Sequence, residues 1–394
     1  MNDRLNMQNS IAKLFDNVIV EWKALGEVAN FVNGKGHEKN IVPDGEYVIV
    51  NSKFISTDGK VAKFTNKQIC PLFIDDILIV MSDLPNGKAL AKTFIVNENN
   101  KYSLNQRIGG ISVKDKKKLF PKFLFFILNR TTQLTKYDNK TDQTNLRKDQ
   151  ILNVLIPIPP LHIQTEIVRI LDTFTELTAE LTAELTAREK QYNYYRDKLL
   201  TFKENEVEWK ALGEILHRTK GTKITASKMK EIHKNNAPLK IFAGGKTFAL
   251  VNFDDIPEKD INREPSIIVK SRGIIEFEYY DKPFSHKNEM WSYHSKDGNI
   301  NIKYVYYFLK TKELHFQNIG SKMQMPQIAT PDTDKFIIPI PSVSIQNSIV
   351  EILDKFDALT NSITEGLPRE IALRQKQYEY YRNLLLDFPK VQES

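Results

Sequence analysis

Phosphate chemistry is the first possibility the residues raise. GGKT at Gly244–Thr247 sets a lysine after paired glycines, but a phosphate-cradling loop also needs a glycine five positions before Gly245, where Lys240 stands. The tetrad therefore reads as a turn beside a strand. PDTDK at Pro331–Lys335 has nuclease-like letters, with a carboxylate spacing unsuited to a metal. The seven histidines are dispersed: His162 opens a helix, His286 and His294 fall in a polar loop, and no HExxH pair occurs. Ile156–Pro160 lacks the Asp/Asn–Pro–Pro–Tyr order of base methyltransferases. The only cysteine, Cys70, permits no intramolecular disulfide and no Cys/His metal set, which suits a reducing cytosol. The expectation is a non-catalytic chain that itself holds no cofactor or metal.

What remains is the chemistry of reading a polyanion. Thr135–Gln150 gathers Lys136, Tyr137, Lys140, Gln143, Asn145, Arg147 and Lys148. Asn318–Lys335 takes the equivalent place in the second half, with Lys322, Gln324 and Gln327. Asn105, Gln106 and Arg107 beside glycines, Arg272 in SRGII, Lys246 and Lys287 complete a candidate DNA-binding set. Arg and Lys reach guanine acceptors, Asn and Gln pair with adenine, and Lys contacts phosphates. Net charge is +7, and its placement matters more than its size. Lys and Arg outnumber Asp and Glu by 21 to 13 over 23–157 and by 21 to 15 over 209–338. The acidic residues lead by 7 to 5 over 161–202 and by 8 to 6 over 339–394. Cations confined to two regions are the footprint of a nucleic-acid partner.

Those regions sit in a frame written twice. VEWKALGE at Val20–Glu27 returns at Val207–Glu214, IPIP at Ile156–Pro159 returns at Ile338–Pro341, and QYNYYRDKLL at Gln191–Leu200 returns as QYEYYRNLLL at Gln377–Leu386. The stretches between these marks differ and look mixed α/β. Strands are expected at Glu46–Val50, Ile74–Val80, Thr93–Val96 and Ile108–Val113, then at Leu239–Phe242, Phe248–Val251, Ser266–Val269 and Ile274–Tyr279. Helices are expected at Pro121–Leu134 and Ile302–Lys312. Each half then leaves through a proline-punctuated apolar exit that cannot be helical, and a long helix follows at once.

The first long helix carries an apolar seam at Ile163, Ile167, Ile170, Phe174, Leu177, Leu181 and Leu185; the second repeats it at Ile345, Ile349, Ile352, Phe356, Leu359 and Ile363. Two matching stripes in one chain are expected to pack on each other, antiparallel if a pseudo-twofold relates the halves. Glu176–Ala187 reads ELTAELTAELTA, where each tetrad adds about 6 Å while nearly preserving the apolar face. Gly366 and Pro368 should kink or break the second helix. No stretch is long and apolar enough for a transmembrane helix, and no signal peptide is evident, so a soluble cytoplasmic protein with no membrane partner is expected.

With the repeated frame, the IPIPP exit, the TAEL tetrads and QYNYYRDKLL in view, the chain resembles the specificity subunit of type I restriction-modification enzymes. The resemblance implies an α+β architecture. Two mixed α/β target-recognition domains, 15–156 and 207–338, would be joined by two long helices forming an antiparallel coiled coil. Residues 1–14 would be a tail, 157–206 the central spacer, and 339–394 the distal spacer and C-terminal tail. It also implies double-stranded DNA as a partner, two methyltransferase subunits using S-adenosylmethionine, and two restriction/translocase subunits using ATP and Mg. The residues alone leave a sequence-tolerant DNA-binding scaffold as the alternative.

Overall fold

The computed structural model describes residues 11, 13–16, 18–85, 87–320, 325–362 and 364–389. It divides into two units: Met1–Glu180 with Ala372–Ser394, and Leu181–Ile371. The long helix Leu161–Leu199 therefore gives its first half to one unit and its second half to the other. Among the described residues no helix is long and apolar enough to cross a membrane.

In the first unit the main sheet is antiparallel. Its order is Ala29–Asn33, Ile108–Val113, Ile77–Val80, Thr93–Ile95. All four residues of Ile77–Val80 are buried, as a strand covered on both faces requires. Helix Pro121–Leu128 starts on a proline and packs Phe123 and Leu124 into the same core. It stops six residues before its expected end: Asn129 caps it, and a short turn of helix, Thr132–Thr135, follows. A second sheet joins Ile41–Val42, Lys63–Thr65, Tyr47–Val50 and Tyr102–Leu104.

The second unit has the equivalent sheet in the order Leu216–Thr219, Trp291–Ser295, Ser266–Lys270, Glu276–Tyr280, covered by helix Ile302–Thr311. Its side sheet has three strands: Phe248–Val251, Leu239–Phe242 and Phe284–His286.

The repeated words of the sequence turn out to bond to one another. EWKA at Glu21–Ala24 pairs antiparallel with Leu155–Ile158, setting Trp22 opposite Pro157; Glu208–Ala211 pairs with Ile337–Ile340, setting Trp209 opposite Pro339. These are two-stranded ribbons, where a proline's missing N–H removes no interior ladder bond. Lys114 Nζ reaches the carbonyls of Gly26 and Glu27, and Lys296 Nζ those of Gly213 and Glu214.

A buried glutamine locks each α/β region onto its helix. Gln164 Oε1 accepts from Phe120 N at 2.8 Å, and its Nε2 donates to Lys118 O and Pro159 O at 2.8 Å each. Gln346 repeats the clamp on Asn301 N, Asn299 O and Pro341 O. Both side chains are fully buried. An ion pair flanks each clamp, Lys122 with Asp172 at 2.7 Å and Lys303 with Asp354 at 2.8 Å.

The helical seam needs correction. Ile163, Ile167, Ile170 and Phe174 are buried, but together with Gln164, Val168 and Leu171, so the buried face is wider than a heptad stripe. In the second helix Val343–Thr360, Ile345 and Ile352 are exposed, 47% and 39%, while Ile349, Val350 and Leu353 are buried. Phe356, Leu359, Leu181 and Leu185 are half-buried, and Leu177 is 40% exposed. Ile363 lies outside the described residues.

The buried residues at the start of each helix pack against the α/β region of the same unit and against a Tyr-rich segment. Phe174 stacks on Tyr381 at 5.3 Å, and Phe356 stacks on Tyr195 at 5.8 Å. The start of each long helical stretch thus meets the end of the other, which is the antiparallel order. Stacked aromatics add about 1 kcal/mol beyond their burial. Burial pushes the Tyr192 hydroxyl, in the same seam, up to about 12, with Asp357 adding to it. The break comes where glycine and proline put it: one helix ends at Thr360 and the next runs Gly366–Leu386. Gly366 has φ +74°, and a Cβ there would lie 2.3 Å from Ala358 O.

Candidate nucleic-acid interface

In the first unit three separate segments are knitted around Met81. Its N–H donates to Arg107 O at 3.0 Å, and its carbonyl accepts from Leu146 N at 2.7 Å. The exit strand Thr144–Asn145 then pairs with Ser82–Asp83 at the mouth of a hairpin. Asp83 braces that hairpin by accepting from Leu84 N, Ala89 N and Leu90 N. Gly87 is needed there, since a Cβ would fall 2.1 Å from Asp83 Oδ2.

This arrangement brings Arg107, Gln143, Asn145 and Lys148 to one place. Arg107 is exposed at a turn with φ +67°. The Gln143 amide donates to Ser82 Oγ at 2.7 Å and remains exposed. Lys148 sits 5.8 Å from the Phe31 ring centroid, and Arg147 pairs with Asp149 at 3.3 Å. Lys136, Tyr137 and Lys140 follow on the adjoining turn, all exposed, with the Lys136 ammonium 5.2 Å from the Tyr137 ring. Gln106 donates to Glu38 at 2.8 Å and stays exposed. Asn105 is turned inward, its Oδ1 3.3 Å from Nδ1 of the buried His37, so it positions the turn and does not face outward. Lys88 and Arg130 join the hairpin, the Arg130 guanidinium donating to the Lys88 carbonyl. Sequence reading missed both.

The second unit repeats the scaffold with other side chains. Ile328 N donates to Ser271 O at 3.0 Å, as Leu146 N does to Met81 O. Arg272 bridges to Gln327 where Ser82 bridges to Asn145. The tip turns at Gly273 with φ +76°. Beneath it Lys270 is buried, with its ammonium 2.6 Å from Glu276 and 2.7 Å from Glu278. Burial opposes that charge, yet the bonds to Glu276 and Glu278 outweigh it and hold Lys270 above the ordinary lysine range.

Lys246 is exposed in the turn between Leu239–Phe242 and Phe248–Val251, as the sequence led one to expect of GGKT. Lys287 is ion-paired to Glu289 at 2.7 Å. Arg272, Lys287 and the Lys246 turn surround one cleft of about 730 Å³. Lys322 and Gln324 lie outside the described residues. The carboxylates of PDTDK are structural: Asp334 takes an ion pair from Arg218 and the Tyr293 hydroxyl at 2.5 Å, and Asp332 caps Ala329 N.

The geometry offers cations, amides and exposed aromatic edges on loops braced by a rigid sheet, which is the chemistry of base and phosphate contact. Comparison with known proteins points the same way. The family model described as type I restriction modification DNA specificity domain matches twice, at residues 17–188 and 204–373. The type I restriction enzyme EcoR124I/EcoR124II specificity subunit of Escherichia coli is 34% identical over 409 residues, covering 96% of this chain and 97% of that protein. The EcoprrI specificity subunit, also of Escherichia coli, is 32% identical, covering 90% and 92%. In fold, the crystal structure of a type I restriction-modification S subunit from M. genitalium aligns with a TM-score of 0.63 at 16% identity, covering 95% of this chain and 98% of that one.

Proposed function

The chain belongs to the type I restriction-modification DNA specificity family, and on that premise we propose that it reads a two-part duplex sequence, one part per recognition domain. Residues 15–156 and 207–338 are the two readers. Arg107, Gln143, Asn145 and Lys148 act in the first, and Lys246, Arg272, Lys287 and Gln327 in the second. Arg272 supplies a bidentate guanine donor, and Asn145 and Gln327 supply adenine pairs; the lysines neutralise phosphates.

The chain itself performs no chemistry in this reading. It holds two methyltransferase subunits, which bring S-adenosylmethionine, and two restriction subunits, which bring ATP and Mg, in the cytoplasm. The paired helices act as spacer, with tetrad number at Glu176–Ala187 setting the gap between the two half-sites.

One observation carries the proposal: the frame repeats its EWKA ribbons and glutamine clamps, while the hairpin-and-exit surface it presents changes side chain by side chain. A sequence-tolerant binder has no use for two unlike copies of that surface. The test is a map of methylated positions in DNA from cells holding this chain and its methyltransferase. A motif of two parts with a fixed gap is expected, and deleting Leu181–Glu184 should shorten the gap alone. A single-part motif, or methylation without sequence preference, would overturn the reading.

A further inference from the structure

The second unit contains a largely apolar cleft. Its volume is about 730 Å³, within the range of pockets that enclose small organic groups. Met229 and Met290 line it and are each 3% exposed. Phe248 stands at its side, 49% exposed, with the Lys240 ammonium 5.0 Å from the ring centroid. Arg272 and the Lys287–Glu289 pair complete the wall. Intact B-form DNA offers phosphates to Arg272 and, of its apolar surface, thymine methyls and sugar edges, while its flat base faces stay inside the stack.

A base swung out of the helix matches on every side. Its flat faces suit an aromatic ring and adaptable methionines. Its hydrogen-bonding edge suits a neighbouring ammonium and carboxylate. The rim also carries what unstacking requires: Ile274, at the hairpin tip next to Arg272 and Gly273, is 65% exposed, and Met325 is 64% exposed. Aliphatic side chains beside cations are the wedges with which proteins open base steps.

We infer that this cleft receives one unstacked nucleobase from the second half of the target duplex, with Phe248 stacked on the base and Ile274 occupying the step it leaves. The inference rests on the reading of this chain as a duplex-specificity subunit. It adds extrusion of a base by the recognition domain itself, at a step the second half-site must make easy to open.

The experiment uses the full chain with its modification subunits and duplexes of the mapped motif, 2-aminopurine being stepped through the second half-site. One position is expected to brighten on binding. F248A should lower the extruded fraction at that position by about tenfold, the value of one base–aromatic stack, and F248Y should restore it. M290W, which fills the cleft, should abolish the brightening. A tight complex in which no position brightens overturns the cleft and leaves the specificity reading intact. Brightening that F248A leaves unchanged belongs to a partner subunit and also overturns it. Failure to bind any duplex overturns the specificity reading and the cleft together.

Discussion

The two units share a joint and differ in what the joint carries. Gln164 and Gln346 make the same three bonds, and each unit closes EWKA on its proline-rich exit. Yet Ser82 faces Asn145 where Arg272 faces Gln327, and the side sheets have four strands and three. Buried polar bonds tolerate little change because a lost partner is left unsatisfied. Exposed loop residues carry no such penalty, so recognition can diverge there while the joint stays fixed.

A smaller difference sits in the Tyr-rich segments. Arg382 donates to Asn129 O at 2.6 Å and Phe126 O at 3.3 Å, covering the open end of helix Pro121–Leu128. Its counterpart Arg196 bonds instead to the adjacent Asp197 at 2.8 Å. The sequence explains the exchange: Asp197 stands where the other copy has Asn383, and a carboxylate one residue away captures the guanidinium.

The sharpest way to break the comparison is to exchange residues 207–338 for the equivalent segment of a relative. One half of the methylated motif should change completely and the other not at all; a change in both halves would mean the readers are not independent. Next comes the joint. Gln164→Leu leaves Phe120 N, Lys118 O and Pro159 O without partners, and should cost about 2–5 kcal/mol by denaturant melting. Gln346→Leu should cost about as much, and a marked inequality would show that the joints are not equivalent.

Arg382→Ala should then cost about 1.5–3 kcal/mol, the value of hydrogen bonds from a charged group. Arg196→Ala, which removes a pair with the exposed Asp197, should cost less than about 1 kcal/mol. Equal losses would sink the distinction drawn between them.

The smallest effect is one of pH. His286 is fully buried, and burial holds its imidazole below the ordinary histidine range. A depressed folded value means that the unfolded chain takes the proton first. Stability should therefore be complete above about pH 6.5 and decline as pH falls below it. His286→Gln should flatten that decline in pH-dependent melting of the second unit.

Several elements were legible in the residues. The strands at Leu239–Phe242 and Phe248–Val251 and the helix break before Gly366 fall where turn residues and apolar runs put them. The candidate interface was legible only in part. Asn145 and Gln327 emerge at matching positions, but Asn105 faces His37, and Lys88 and Arg130 were invisible because hairpin closure alone brings them there.

The sequence by itself determined the duplication, the mixed α/β inserts and the long helices, because period, proline and glycine act locally along the backbone. Tertiary structure decided which apolar face meets which partner. Ile163 and Ile345 are the same residue in the same repeat, yet one is 3% exposed and the other 47%. A helical stripe records that a face is apolar, whereas its burial depends on chain segments far away in sequence. Here Tyr381 and Tyr195 supply stacking partners for Phe174 and Phe356.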